Sequence, residues 1–166
     1  MDQSEFEQIL VKFAPAEPVL HLAWEAVVTV TGRQDLGAGP KGHRFIVPIS
    51  GGWFRGGPHM PAFHGTVAPW GADRQLLRSD GIRELTAEYE MQVADGTIIS
   101  VTNRVLSDAD GKPVRHSFSR IEPTAPPGPW EHLNRRVFLG TLQSVQPSPG
   151  YVVIRAWEAM PAPTGL

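Results

Sequence analysis

Residues 19–30 read VLHLAWEAVVTV, with Leu20, Leu22, Trp24, Ala26, Val28 and Val30 on alternate positions and His21, Glu25 and Thr29 on the other parity. A period of two places successive side chains on opposite faces of a strand, so this run is a strand with one apolar face. The alternation returns more cleanly in IRELTAEYEMQV, where Leu85, Ala87, Tyr89, Met91 and Val93 share one face. Glu84, Thr86, Glu88, Glu90 and Gln92 share the opposite face, the pattern of a half-exposed antiparallel strand. TIISVTNRVL continues with Ile99, Val101, Asn103 and Val105 on one side. FIVPI, 63–68, 75–78, VFLGTLQSV and YVVIRAWEAM are further strand-like runs.

The breaks between these runs carry turn chemistry. SDG at 79–81 and Asp95-Gly96 are hairpin signals, and 108–111 and QPSPG mark further turns. TGRQDLGAGPKGHR reads as a loop and HSFSRIEPTAPPGPWEHLNRR as an irregular segment. Gly51, Gly52, Gly56, Gly57, Pro58 and Pro61 predict repeated turns or bulges, as at a barrel corner. WGAD, Trp70 to Asp73, reads as the turn joining two short strands. The one helical signal covers residues 4–10, with Ser4 as N-cap and Glu7 three positions later, ended by Pro15 and Pro18.

Composition narrows the choice. Seventeen Gly and sixteen Pro in 166 residues imply many short elements, which favours an all-β chain. Nothing marks an internal repeat or linker, so residues 1–166 are read as a single domain. The expected fold is a closed antiparallel up-and-down β-barrel of eight to ten strands, lipocalin-like, with a short N-terminal helix; such barrels hold one small ligand. A formal net charge of −2 calls for neither nucleic acid nor a membrane as partner. The absence of Cys excludes thiol catalysis, disulfides and thiolate metal sites. The first residues lack the layout of a signal peptide, so the expected location is the cytoplasm.

Four stretches, GHRFIVPISGGWFRG, HGTVAPWGADRQLLRSDG, LTAEYEMQVADGTIISVTNR and WEHLNRRVFLG, occur in this order from Gly42 onward. Together they resemble the domain of unknown function 3237 family, also called the UPF-three-one-one proteins. The resemblance implies a closed lipocalin-like barrel, often oligomeric, with no general assigned function. A glycine- and proline-rich family pattern falls on Gly42, Arg44, Ile46, Pro48, Gly51, Gly52, Phe54 and Gly56, with His43 where arginine is common. A second falls on Gly71, Ala72, Asp73 and Gln75, with Trp70 in place of glycine. Glu88 precedes Tyr89 where relatives carry arginine, and His132 replaces a tryptophan ahead of Leu133, Asn134 and Arg135. These departures imply a specialised member whose ligand differs from its relatives'.

The candidate chemistry follows from polar groups on apolar faces. Asn103 and Tyr89 occupy inward positions, and a buried polar group without a partner costs about 1–3 kcal/mol. Asp73 is either a turn carboxylate bonding its own backbone or a general base at the barrel mouth. His132 is either a loop histidine or a proton-exchanging group near the pocket. Arg44, sharing parity with Ile46 and Pro48, is expected to point inward and clamp a carboxylate. Trp70, Trp130 and Asn134 complete the substrate-binding candidates, and Asp73, Tyr89 and His132 the catalytic ones. The six histidines show no metal-ligand spacing, so neither metal nor cofactor is expected.

The expected function is a cofactor-independent lyase, isomerase or dehydratase acting on a small aromatic or cyclic metabolite. A non-catalytic carrier of small apolar acids is the alternative, and a structural homo-oligomer with a filled interior the third. A cavity below about 300 Å³ would favour the third.

Overall fold

The structure, a computed structural model, describes residues 1–13, 15–108, 115–145 and 150–162. After helix α1 (Gln3–Lys12) come β1 (Pro18–Val30), β2 (Gln34–Gly39), β3 (Gly42–Gly56), β4 (His64–Val67) and β5 (Ala72–Leu77). There follow β6 (Arg83–Val93), β7 (Ile98–Asp108), β8 (His116–Thr124), β9 (Phe138–Val145) and β10 (Gly150–Pro161), with a 3-10 helix, Glu131–Arg135, between β8 and β9.

The strands form one antiparallel sheet in which β6, β7, β8, β9, β10 and β1 are consecutive neighbours. β3 pairs with β1 on one side and with β4 and β5 on the other, and both of these pair with β6. The sheet therefore closes into an all-β barrel of eight staves, with β2 as a hairpin flap on β3. Closure leaves no long unpaired edge.

The join at WGAD is not a turn between neighbouring strands. β4 and β5 lie end to end in one interrupted stave, β4 against residues 52–55 of β3 and β5 against residues 43–48. The interruption stays bonded to both neighbours: Ala68 N donates to Glu90 O at 2.9 Å, and Ile49 N to Gly71 O at 2.9 Å. Gly71 is needed for close approach rather than for positive φ. A Cβ at this position would stand 2.7 Å from both Glu88 O and Tyr89 Cβ.

Other elements also extend beyond the sequence pattern. The expected loop at 31–44 contains β2, and FIVPI is the middle of a 15-residue strand that runs through the glycine cluster. Gly51 and Gly52 adopt φ of +141° and +150°, and β1 shifts register beside them between Thr29 and Val30. A Cβ on Gly52 would meet Val27 O at 2.4 Å, so glycine there is what lets β3 reach β1. The segment expected to be irregular begins with β8, drawn into pairing by its neighbours on both sides. The helix starts earlier than expected, because Asp2, not Ser4, accepts from Glu5 N at 2.8 Å and caps it. Of the expected turns, residues 109–111 and 146–149 lie outside the described residues.

Inward side chains divide the barrel into two halves. At one end Trp24, Phe63, Tyr89, Met91, Ile99, Ile121 and Phe138 pack a dense core, with Trp24 and Phe138 ring centroids 4.9 Å apart. The 3-10 helix plugs this end through Leu133, and the Trp130 ring packs tilted against Phe63 with centroids 4.9 Å apart. At the other end the inward positions carry smaller or aliphatic groups and the interior is open. Substituting Gly71→Ala should therefore cost about 1–3 kcal/mol by overpacking, read as a lower urea midpoint at unchanged slope.

Candidate functional site

The open half holds a cavity of about 420 Å³, above the size at which a small ligand fits. Its walls are aliphatic, with Val28, Val47, Ile49, Leu85 and Val105 among them, and no aromatic ring of the described residues lines it. Trp70 and Trp130, expected among the binding residues, are not in its lining. Three polar residues interrupt the deeper wall: Asp73, Gln75 and Asn103.

Strand register explains their grouping. Asp73 on β5 stands opposite Ala87 on β6, and Ala87 stands opposite Asn103 on β7. Two strand spacings place the backbones of Asp73 and Asn103 about 10 Å apart, with only a methyl group between their side chains. Gln75 follows Asp73 by two residues and so shares its face. The Gln75 amide donates to Asp73 Oδ2 at 2.6 Å, whereas Asp73 Oδ1 and Asn103 Oδ1 are buried without a hydrogen-bond partner. Burial raises the Asp73 carboxyl above its ordinary value of 3.8, and the Gln75 hydrogen bond partly offsets this. The wall thus presents a desolvated carboxyl and an amide, each with an unused acceptor. Both oxygens are placed to accept a hydrogen bond from a donor inside the cavity.

Six expected site residues fall outside this cavity. Tyr89 is one inward step below Ala87 in the packed half, 1% exposed, with its hydroxyl unpartnered and its ionisation pushed well up by burial. Arg44 points outward, because Val47 and Ile49 take the inward parity of β3; it donates to Leu36 O at 3.0 Å. Trp70 sits on the outside at 70% exposure, donating to Glu90 Oε2 at 2.8 Å. The other three lie at the plugged end. Trp130 donates to Asp95 Oδ2 at 2.8 Å, and His132 is exposed with Nδ1 3.1 Å from Pro129 O. Asn134 accepts from Ala125 N at 2.7 Å and donates to Ala125 O at 2.8 Å, a clamp on the chain leaving β8. No geometry joins these three to the cavity.

Arg33, Thr31 and Ser144 also line the cavity and were not candidates from sequence. Arg33 is exposed and lies with its guanidinium carbon 4.3 Å from the centre of the Phe45 ring, which orients it. Its segment reads as loop, so no periodicity pointed to it. Gln75 had a usable signal, the two-residue offset from Asp73 on one strand.

The fold is a closed β-barrel with an internal cavity, packed at one end and open at the other. The chain belongs to the family described as protein of unknown function (DUF3237), whose model matches residues 18–159. It is 36% identical over 74 residues to a UPF0311 protein of Rhodopseudomonas palustris, and 41% identical over 63 residues to one of Bradyrhizobium diazoefficiens. These alignments cover 45% and 38% of this chain, and the chain spans only 44% and 38% of those relatives' lengths. Among solved structures, a conserved protein of unknown function from Rhodopseudomonas palustris superposes with a TM-score of 0.76 at 22% identity, covering 88% of this chain and 100% of that one. A β-barrel-like protein of Acinetobacter baumannii gives 0.73 at 21% identity over 89% and 99% of the two chains. A protein described as an enzyme from Penicillium herquei gives 0.67 at 20% identity over 88% and 97%. These likenesses show the shared fold.

Two substitutions separate cavity from scaffold. Asn134→Ala should cost about 1–2 kcal/mol through its two lost hydrogen bonds, while compounds that bind the cavity keep their affinity by calorimetry. For Asp73 the sign follows from the raised carboxyl. Above 3.8 the unfolded chain loses a proton that the folded state still holds, so stability falls as pH rises through that window. Asp73→Asn removes this loss. It should be more stable than the parent at pH 7, with the advantage vanishing in denaturation curves taken below 3.8.

Proposed function

We propose that the barrel is a cofactor-independent acid–base enzyme, an isomerase, lyase or dehydratase, acting on a small cyclic metabolite in the cavity. The observation that carries this reading is Asp73: one oxygen pinned by Gln75, the other unpartnered and buried in an aliphatic wall. A desolvated carboxylate is a stronger base than one in water, and the raised carboxyl that results can hand the proton back. One group then both removes a proton from the substrate and delivers it to another atom of the same molecule. Delivery to carbon gives an isomer; delivery to a departing hydroxyl releases water. Asn103, across Ala87, turns its amide to donate to the oxygen on which charge develops. The fold neighbour described as an enzyme supports the capacity of such a barrel for catalysis.

Carriage of small apolar acids without turnover is the second reading. It is favoured by Arg33, the cation on the cavity wall, which suits a carboxylate at the mouth.

The test is a library of small cyclic ketones, enols and hydroxy acids, screened by thermal shift and followed by NMR in heavy water. The parent protein is expected to bind a subset and to convert or deuterate it. Asp73→Asn should bind the same compounds and be slower by about 10²-fold or more. Undiminished exchange in Asp73→Asn would remove Asp73 from the mechanism. Binding with no exchange by either protein would leave the carrier.

A further inference from the structure

Helix α1 has an apolar stripe that no other described residue of its chain covers. Phe6, Ile9, Leu10 and Phe13 recur at the helical spacing of one face, all are exposed, and the helix contains no buried residue. An isolated helix shorter than about 12–15 residues is marginal in water, so this one needs a surface to lie on. Its polar side is acidic: Asp2, Glu5 and Glu7 against Lys12.

A complementary surface exists on the outside of the barrel. A groove of about 690 Å³ runs between the β2 flap and the outer faces of β3, β5 and β6. Leu36, Pro40 and Leu76 provide apolar lining, and Lys41, Arg44 and Arg74 provide positive charge. Among the described residues, these three cations have no ion-pair partner, while the one acid in the groove, Glu84, is paired with Arg78 at 3.1 Å.

The helix cannot reach this groove in its own chain. α1 is tethered to Pro18, at the start of β1, whereas Arg44 lies five residues beyond Ile49, the partner of Val30 at the end of β1. β1 alone spans about 40 Å at strand rise. The helix from Phe6 plus the fully extended residues before Pro18 reaches at most about 30 Å.

We propose that α1 of one chain lays its Phe6–Ile9–Leu10–Phe13 stripe in the β2–β3–β5–β6 groove of a second copy. Acidic residues of the helix then face Lys41, Arg44 and Arg74. Each chain offers both halves of the contact, so the assembly is a reciprocal pair or a closed ring.

Sedimentation velocity on the full chain tests this with two double variants, Phe6→Ser/Leu10→Ser in the helix and Arg44→Glu/Arg74→Glu in the groove. Far-UV circular dichroism melts establish that each variant remains folded. The parent should sediment as an oligomer and each variant as a monomer. An equimolar mixture should recover a two-chain species, because each variant keeps the half that the other lacks. Glu5→Lys/Glu7→Lys added to the groove variant should restore assembly by exchanging the charges. A monomeric parent, a groove variant that still assembles, or a mixture that stays monomeric would each overturn the proposal. Co-sedimentation of a monomeric parent with phosphatidylcholine vesicles would assign the stripe to a lipid surface and overturn it as well.

Discussion

Pairing of β1 with β3 is the contact on which the rest depends. Without it the sheet is an open ribbon whose inward residues face water. With it, a two-residue side-chain period becomes a distinction between interior and exterior. The approach is made through glycine: Gly52 passes so near Val27 O that any side chain would collide, and the positive φ of Gly51 and Gly52 turns β3 across the end of β1. The glycine cluster is the device by which one long strand closes the barrel.

Once closed, the barrel is divided by side-chain size. On β6 the inward series runs Leu85, Ala87, Tyr89, Met91, and on β7 it runs Val105, Asn103, Val101, Ile99. The transition from cavity to core falls at the same level on both strands, between Ala87 and Tyr89 and between Asn103 and Val101. Rings at the lower level fill the interior and support the floor; the methyl of Ala87 leaves space between Asp73 and Asn103. The same strain is tolerated differently in the two halves. Trp24 Nε1 and the Tyr89 hydroxyl are unpartnered within packed core, whereas Asp73 and Asn103 carry unpartnered atoms beside a void. A buried group's chemistry therefore depends on what lies next to it more than on its own burial.

Much of this was legible from residue order. Alternation in β1, β6 and β7 placed Asn103 and Tyr89 inward, and the turn residues separated the strands correctly at 79–81 and at Asp95-Gly96. Asp73 and Asn103 were candidates and share the cavity. Arg44 was misplaced because parity in β3 was taken from Ile46 and Pro48, whereas pairing turns Val47 and Ile49 inward. His132 and Asn134 were grouped with the pocket by resemblance, and the 3-10 helix carries them to the plugged end. Arg33 gave no signal, since a side chain in an apparent loop has no face until a neighbouring ring, here Phe45, orients it.

By itself the sequence determined an all-β barrel with a short helix, because local alternation and turn chemistry are properties of adjacent residues. It also determined that a carboxylate and an amide interrupt apolar faces. Only the tertiary structure decided that WGAD is a gap within one stave, that Asp73 and Asn103 flank Ala87, and that the interior is open at one end alone. These are matters of register and closure between residues far apart in the chain, and a one-residue slip would reverse the facing of every side chain on a strand.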